Sequence, residues 1–220
     1  MEPGGILGSS ALAYHSDNEY CEEPVLGISL HAIDVEDDRT STRLASGVRA
    51  YRQLSPALRS RISDLHALHA LAIESTGRMG PLTFAPNWPQ AIHPVAKRHP
   101  VTGEPILYVT QMQTRAIAGV SNEQSEALLQ ELFQYLYAPD NVYEHRWRMG
   151  DLLVWDNLAL QHARSSVEHT RRTLQRVSLG RNFESQYPSF AADFRRESAA
   201  IINTGTATEP TPATPRLEGY

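Results

Sequence analysis

Six prolines fall between Thr76 and Pro105, at positions 81, 86, 89, 94, 100 and 105. Each lacks a backbone N–H and fixes φ, so neither a long helix nor a long central strand can run through this stretch. The middle of the chain therefore reads as a long loop, and long loops in compact domains often act as lids. On either side only short elements are expected. β-rich runs occur at Ile106–Thr110, Val142–Arg148, Asp151–Asp156 and Thr173–Leu179, concentrated in the second half. The clearest helix starts at Ser121, whose hydroxyl can cap while Gln124 sits three residues on, and it carries Leu128, Leu129, Leu132, Phe133 and Leu136 on one face. Two more helical segments fit Leu44–Leu54 and Pro56–Leu65, the second with Ser55 as cap and Pro56 at the first helical position. The pattern is mainly β with helices, an α+β class without internal repeats.

Composition narrows the partners. The chain has 220 residues, 41% of them hydrophobic, which suits one domain with one sizeable core. Twenty basic against 25 acidic residues leave a net charge of -5, the wrong sign for tracking phosphate backbones, so no nucleic acid and no membrane is expected as a partner. No apolar run approaches the roughly 20 residues needed to span a bilayer. The start Met1-Glu2-Pro3-Gly4-Gly5 lacks the basic and apolar parts of a signal peptide. The single cysteine, Cys21, suits a reducing compartment, and a cytoplasmic protein is expected. From about Asn203 to Tyr220 the chain is Thr/Pro/Ala-rich and has little to bury. Residues 1–202 are thus expected to form one domain and 203–220 a disordered tail.

Histidine is the informative residue type. In His15-Ser16-Asp17, strand alternation would place the imidazole and the carboxylate on one face, able to converge on a cation. A second histidine would complete the set, and the run from Trp155 through Asp156 and Asn157 to His162 could supply it as a strand leading into a short loop. Two histidines and a carboxylate form the facial triad of non-haem Fe(II) oxygenases, which leaves positions open for a chelating cosubstrate and O2. An isolated His-x-Asp is common by chance, so the context matters. Downstream, alternation puts Arg172, Leu174, Arg176 and Ser178 on one strand face and Thr173, Gln175 and Val177 on the other. On an exposed face the two arginines would be ordinary surface charge. In an interior they would cost several kcal/mol without a bidentate anionic partner, and a dicarboxylate would be such a partner.

Several motifs occur in a recognisable order. His15-x-Asp17 is followed by Thr42, His93-Pro94-Val95, His99-Pro100-x-Thr102-Gly103 and the helix from Ser121. Then come Arg146-Trp147-Arg148-x-Gly150-Asp151, Trp155-Asp156-Asn157 with His162, and Arg172 with Arg176. This order resembles the taurine dioxygenase family of Fe(II)/2-oxoglutarate-dependent oxygenases from about Leu12 to Gly180, most specifically from His145 to His162. The resemblance implies a double-stranded β-helix (jelly-roll) core with Fe(II) held by His15, Asp17 and His162. By the same matching Arg172 would pair with the distal carboxylate of 2-oxoglutarate, and Thr42 would hydrogen-bond that cosubstrate. Arg176 matches a position that in some members meets an anionic substrate. The implied reaction uses O2 to decarboxylate 2-oxoglutarate to succinate and CO2 while hydroxylating, or otherwise oxidising, a small organic molecule.

Other candidates are structural. His31, His66, His69, His145 and His169 lack metal-site spacing and read as core or surface residues. His93 and His99 should shape their loop, Trp147 and Trp155 should pack in the core, and Cys21 should be a buried small residue. Asp156 and Asn157 should fix the turn that presents His162. The family usually carries a substantial segment before His-x-Asp, whereas His15 arrives early here. The expected fold therefore lacks its usual N-terminal part, and a homo-oligomer would be one way to cover an open edge. Ala11 stands where taurine-specific members place an asparagine, which argues for another substrate. Two readings compete with the oxygenase: a non-catalytic relic that keeps the jelly roll and its metal, and a cupin-like metal-dependent isomerase or hydrolase, which would leave Arg172 without a role.

Overall fold

The computed structural model describes residues 11–37, 39–71, 89–165, 171–181 and 186–187. In chain order the elements are β1 (Leu12–His15), β2 (Gly27–Val35), β3 (Ser41–Ser46), α1 (Gly47–Gln53), α2 (Pro56–Ile62), β4 (His66–Ala70), β5 (Gln90–Pro94), β6 (Ala96–Arg98), β7 (Pro105–Leu107) and β8 (Thr114–Ile117), then α3 (Asn122–Leu136), β9 (Val142–Arg146), β10 (Leu152–Asp156), β11 (Leu160–Arg164) and β12 (Arg172–Leu179).

Two antiparallel sheets carry the site, one with the order β1-β11-β3-β9 and the other β10-β2-β12. Alternation decides what lies between them. Ile28 and Leu30 from β2, Leu44 from β3, Leu153 and Trp155 from β10 and Leu160 from β11 pack with Val25 into one apolar cluster drawn from both sheets. This is the double-sheet packing of a jelly roll. Residues next in sequence point the other way: Ala45 and Ala163 pack with Tyr14 on the outside of the first sheet. Position 162, two residues from Leu160 on β11, therefore belongs to the interior face, as does position 164.

A helical layer backs this core. Ser121 and Gln124 form the capping box expected of them, and Leu128, Leu129, Leu132, Phe133 and Leu136 are buried as the periodicity predicts. Their partners include Leu54, Leu58 and Ile62 on the short helices and Val109 and Ile117 beside β7 and on β8. Ser55 caps α2 by accepting from Leu58 N at 3.1 Å, with Pro56 opening the helix.

The structure corrects three local expectations. The helix expected over Leu44–Leu54 begins only at Gly47, because Leu44 and Ala45 face opposite sides of strand β3, a period of two. The proline-rich segment is not loop throughout: β5 and β6 form within it, with Pro94 and Pro105 at strand ends, where a missing N–H costs least. Strands are not confined to the second half, since the nine-residue β2 lies in the first and is central to its sheet. Positions 72–88, His169 and the whole tail from 203 to 220 lie outside the described residues. Among the described residues no helix is long and apolar enough to cross a membrane.

Candidate metal centre

His15 ends β1 directly opposite His162 on β11, and the two rings lie 4.1 Å apart, centroid to centroid, at 47°. His162 sits in the middle of a strand and not at the end of a loop, so its ring is aimed by the ladder with β3, where Leu44 is its partner. The His15 Nδ1–H donates to Ala13 O at 2.8 Å, which leaves the Nε2 lone pair for a metal. That Nε2 is 3.7 Å from Asp17 Oδ1. Ligand atoms of His15, Asp17 and His162 all lie within 4.8 Å of one another, a spacing one cation can bridge.

Asp17 reaches this point by leaving the strand. Asn18 takes φ 56°, a left-handed conformation that asparagine tolerates, and turns the chain back. Asn157, fully buried, holds the turn from across the fold: its Oδ1 accepts from Asp17 N at 2.9 Å, and its Nδ2 donates to Asp17 O at 3.0 Å and Val25 O at 2.8 Å. Asn157 thus positions Asp17, where the sequence suggested His162. Its neighbour Asp156 does shape the turn into β11, its Oδ1 accepting from Leu158 N and Ala159 N, while His99 Nε2 donates to its Oδ2 at 2.7 Å. His99 and Asp156 therefore shape loops, as expected.

Beneath the same turn lies a buried polar cluster that sequence reasoning missed. The fully buried Glu19 carboxylate accepts from Thr110 Oγ1 at 2.7 Å and lies 2.7 Å from His69 Nδ1. With its nitrogen turned toward them, the Gln113 amide donates to Ser16 O at 2.9 Å and to Glu19 Oε2 at 3.3 Å. His93 Nε2–H donates to Cys21 O, and Lys97 donates to His93 Nδ1 at 3.0 Å. Ser16, Glu19 and Cys21, in the segment that carries Asp17, are thus held by residues far away in sequence.

His162 and Asp17 are in the state a divalent metal requires. Burial, reinforced by the neighbouring His15, holds the His162 imidazole down to about 3, so the ring is neutral. Burial alone would raise the Asp17 carboxyl, but His162, Arg176 and His15 together hold it below the ordinary carboxylate value, so it is ionised. Two imidazoles and one carboxylate are a donor set that suits Fe(II) and would leave positions open for other ligands.

The polar residues around the triad divide into two groups. Arg176 lies beside it, with Nη2 3.1 Å from Asp17 Oδ2 and both Nε and Nη2 on Ser178 Oγ. Arg172 and Thr42 sit further along their strands. Thr42 is buried, and its Oγ1 accepts the Trp147 indole N–H at 3.0 Å, leaving the hydroxyl proton for another acceptor. Arg172 faces no carboxylate among the described residues, and its buried Nη1 has no hydrogen-bond partner. Burial, followed by the charge of Arg164, pulls its guanidinium down to about 10. Arg164 was absent from the sequence candidates. The signal was available, since it lies two residues beyond His162 and alternation puts both on the interior face.

The family model for taurine catabolism dioxygenase TauD, TfdA family, matches residues 3–178. The (S)-phenoxypropionate/alpha-ketoglutarate-dioxygenase of Sphingobium herbicidovorans is 29% identical over 173 residues, 74% of this chain and 60% of that protein. Pentalenolactone F synthase of Streptomyces arenae is 26% identical, over 89% of this chain and 69% of its own. The crystal structure of a taurine dioxygenase from Burkholderia xenovorans superposes with a TM-score of 0.66 at 26% identity, covering 77% of this chain and 60% of that one. AAD-2 in complex with Mn(II) and N-oxalylglycine does so with a TM-score of 0.67 at 26% identity, covering 76% of this chain and 67% of that one. The chain thus spans about three fifths of the length of the first of these relatives. The family match over residues 3–178, most of the chain's length, places this chain in the TauD/TfdA dioxygenase family.

Proposed function

We propose that the chain is an Fe(II)/2-oxoglutarate-dependent dioxygenase, which couples decarboxylation of 2-oxoglutarate to succinate and CO2 with hydroxylation or a related oxidation of a small organic substrate. The observation that carries this reading is Arg172, a guanidinium on the interior face with a buried Nη1 and no carboxylate to pair with. Keeping an unpaired charge there costs several kcal/mol unless a ligand supplies the anion. The distal carboxylate of 2-oxoglutarate is that anion, and the Thr42 hydroxyl donates to the same ligand. His15, Asp17 and His162 hold the iron, which, with O2, supplies the oxidising chemistry. Relatives named for alpha-ketoglutarate and a neighbour bound to Mn(II) and N-oxalylglycine support the assignment.

The rest of the chain orients the ligands and excludes water. Asn157 and the Glu19 cluster fix Asp17, and Trp155, its ring centroid 5.0 Å from that of His162, closes one wall. Arg176, partly exposed beside the triad, meets an anionic group of the prime substrate. A cytoplasmic setting suits the single free thiol of Cys21. The test is succinate formation by the iron-loaded protein under O2 with 2-oxoglutarate alone. Turnover above that of the His162→Ala variant supports the reading. Tight metal binding with no succinate, with or without candidate substrates, would favour a non-catalytic jelly roll.

A further inference from the structure

The run Arg146-Trp147-Arg148-x-Gly150-Asp151 has no part in the reaction scheme above, yet it builds the crossing from one sheet to the other. β9 ends at Arg146 in the sheet that holds His162, and β10 begins at Leu152 in the opposite one. Gly150, at φ 85°, lets the chain turn sharply between them. Arg148 N closes the turn by donating to Asp151 Oδ2 at 2.9 Å, and two backbone bonds tie it to β2, from Gly150 N to Ala32 O and from Ala32 N to Asp151 O. Trp147, where this crossing starts, is fully buried. Its backbone N–H donates to Thr40 O at 3.2 Å, the His145 ring stands at 85° to its indole with centroids 4.6 Å apart, and His145 Nε2 lies 3.1 Å from Asp151 Oδ2. The crossing therefore fixes where the indole N–H points, and it points at Thr42 Oγ1, 3.0 Å away.

A hydroxyl can turn either its proton or a lone pair toward a ligand, whereas an indole nitrogen only donates. With the indole N–H on its oxygen, the Thr42 hydroxyl accepts on the protein side and keeps its proton to give. A carboxylate or keto oxygen needs that proton and would be repelled by a lone pair. Polarised by the N–H it receives, the O–H is also the stronger donor. We propose that Trp147 is a positioning residue for the cosubstrate: its indole N–H sets the polarity of the Thr42 hydroxyl, so that this hydroxyl donates to 2-oxoglutarate. The inference rests on the dioxygenase reading. Trp147 thus has a task beyond core packing.

Trp147→Phe removes the N–H and keeps an aromatic ring. Calorimetric titration of the Mn(II)-loaded variant with 2-oxoglutarate is expected to show binding about fivefold weaker, the size of one neutral hydrogen bond, with the Kd for Mn(II) unchanged. A double-mutant cycle supplies the readout that packing alone does not move. In a Thr42→Val background, where no hydroxyl remains to be oriented, Trp147→Phe should cause no further loss. Equal weakening in both backgrounds would make Trp147 a packing residue and overturn the inference, as would unchanged affinity in Trp147→Phe. If the phenylalanine variant does not fold, the indole 15N–1H signal of Trp147 in the Zn(II)-loaded parent, assigned through Trp88→Phe and Trp155→Phe, takes its place. A shift on adding 2-oxoglutarate that is lost in Thr42→Val supports the proposal; no shift, or one that persists in Thr42→Val, overturns it. Parent-like 2-oxoglutarate affinity in Thr42→Val, while Arg172→Gln weakens it, would also overturn it and leave the dioxygenase reading standing. A parent protein that binds no 2-oxoglutarate would remove both.

Discussion

Asn157→Ala isolates the device that aims the carboxylate ligand. The side chain touches neither metal nor substrate, yet it makes three hydrogen bonds to backbone groups, two of them on Asp17 itself. A neutral hydrogen bond contributes about 1 kcal/mol, and buried groups left unpaired cost at least as much, so the loss of stability is about 3 kcal/mol. For a domain of this size that is roughly 6 to 12 °C in Tm. The larger consequence is functional. Without Asn157 the turn at Asn18 is free to swing, and disturbing groups that hold a metal ligand typically costs 10- to 100-fold in metal affinity. Thermal melts and Mn(II) titrations read the two effects separately. Leu129→Ala, in the helical layer, is the control: burial of Leu129 predicts a loss of about 2 to 5 kcal/mol with metal affinity unchanged. If Asn157→Ala loses stability but binds Mn(II) like the parent, the clamp serves the fold alone and the argument fails. Asn157→Asp keeps the acceptor for Asp17 N but sets a second oxygen against Asp17 O and Val25 O, so it should be no better than alanine near neutral pH.

Replacing His15, Asp17 or His162 by alanine removes one of three protein bonds to the metal, and each variant should stay folded while losing Mn(II) binding in calorimetry; retention of parent affinity by any one would break the triad. Burial, then the Lys97 and His69 charges, hold the His93 imidazole down to about 4, against about 6.5 in an unfolded chain. As pH falls below about 6.5 the unfolded state takes up the proton first, so stability is full above that value and declines toward pH 4 by up to about 3 kcal/mol. His93→Gln should flatten that slope in urea melts, and parallel curves for parent and variant would refute the assignment. At Gly47 an added Cβ would lie 2.7 Å from Ile106 Cγ2 and 3.0 Å from Leu107 O, so Gly47→Ala should cost about 1 to 3 kcal/mol, read as an earlier urea midpoint.

What could be read from the sequence divides by range. The α3 capping box and its buried leucines follow from residues at most four apart, and both were legible. So was the alternation of β12, which puts Arg172, Arg176 and Ser178 on one face: the bulge in its pairing with β2 falls on the β2 side, where Thr173 meets Asp34 and Leu174 meets Ala32. β2 itself was missed although Ile28, Leu30 and Ala32 alternate with Gly27, Ser29 and His31, because the pattern changes phase at Ile33 and Asp34, where the bulge falls. The partners of the ligand turn were illegible for a different reason. Asn157 and Asp17 are 140 residues apart, and Glu19 and Thr110 are 91 apart, so no local period links them.

That division has a physical basis in how the metal site is built. Its ligand types are local facts, a His-x-Asp and a strand histidine, but their convergence is a property of register. β1 must pair with β11 so that His15 falls opposite His162, and a slip of one residue would turn every side chain of the strand to the other face. The register is held by groups that carry no metal: Leu44 opposite His162 in the apolar interior, and Asn157 joining the turn after β10 to the turn after β1. The same strand extends the argument to the far end of the site. Once the ladder fixes His162 inward, Arg164 must face inward too, and Thr42 must lie beside it. Metal end and anion end are therefore coupled through one strand, β11. A substitution that shifts its register, such as a proline at Ala163 that removes a ladder N–H, should lose Mn(II) and 2-oxoglutarate affinity together, whereas Arg172→Gln should lose only the second.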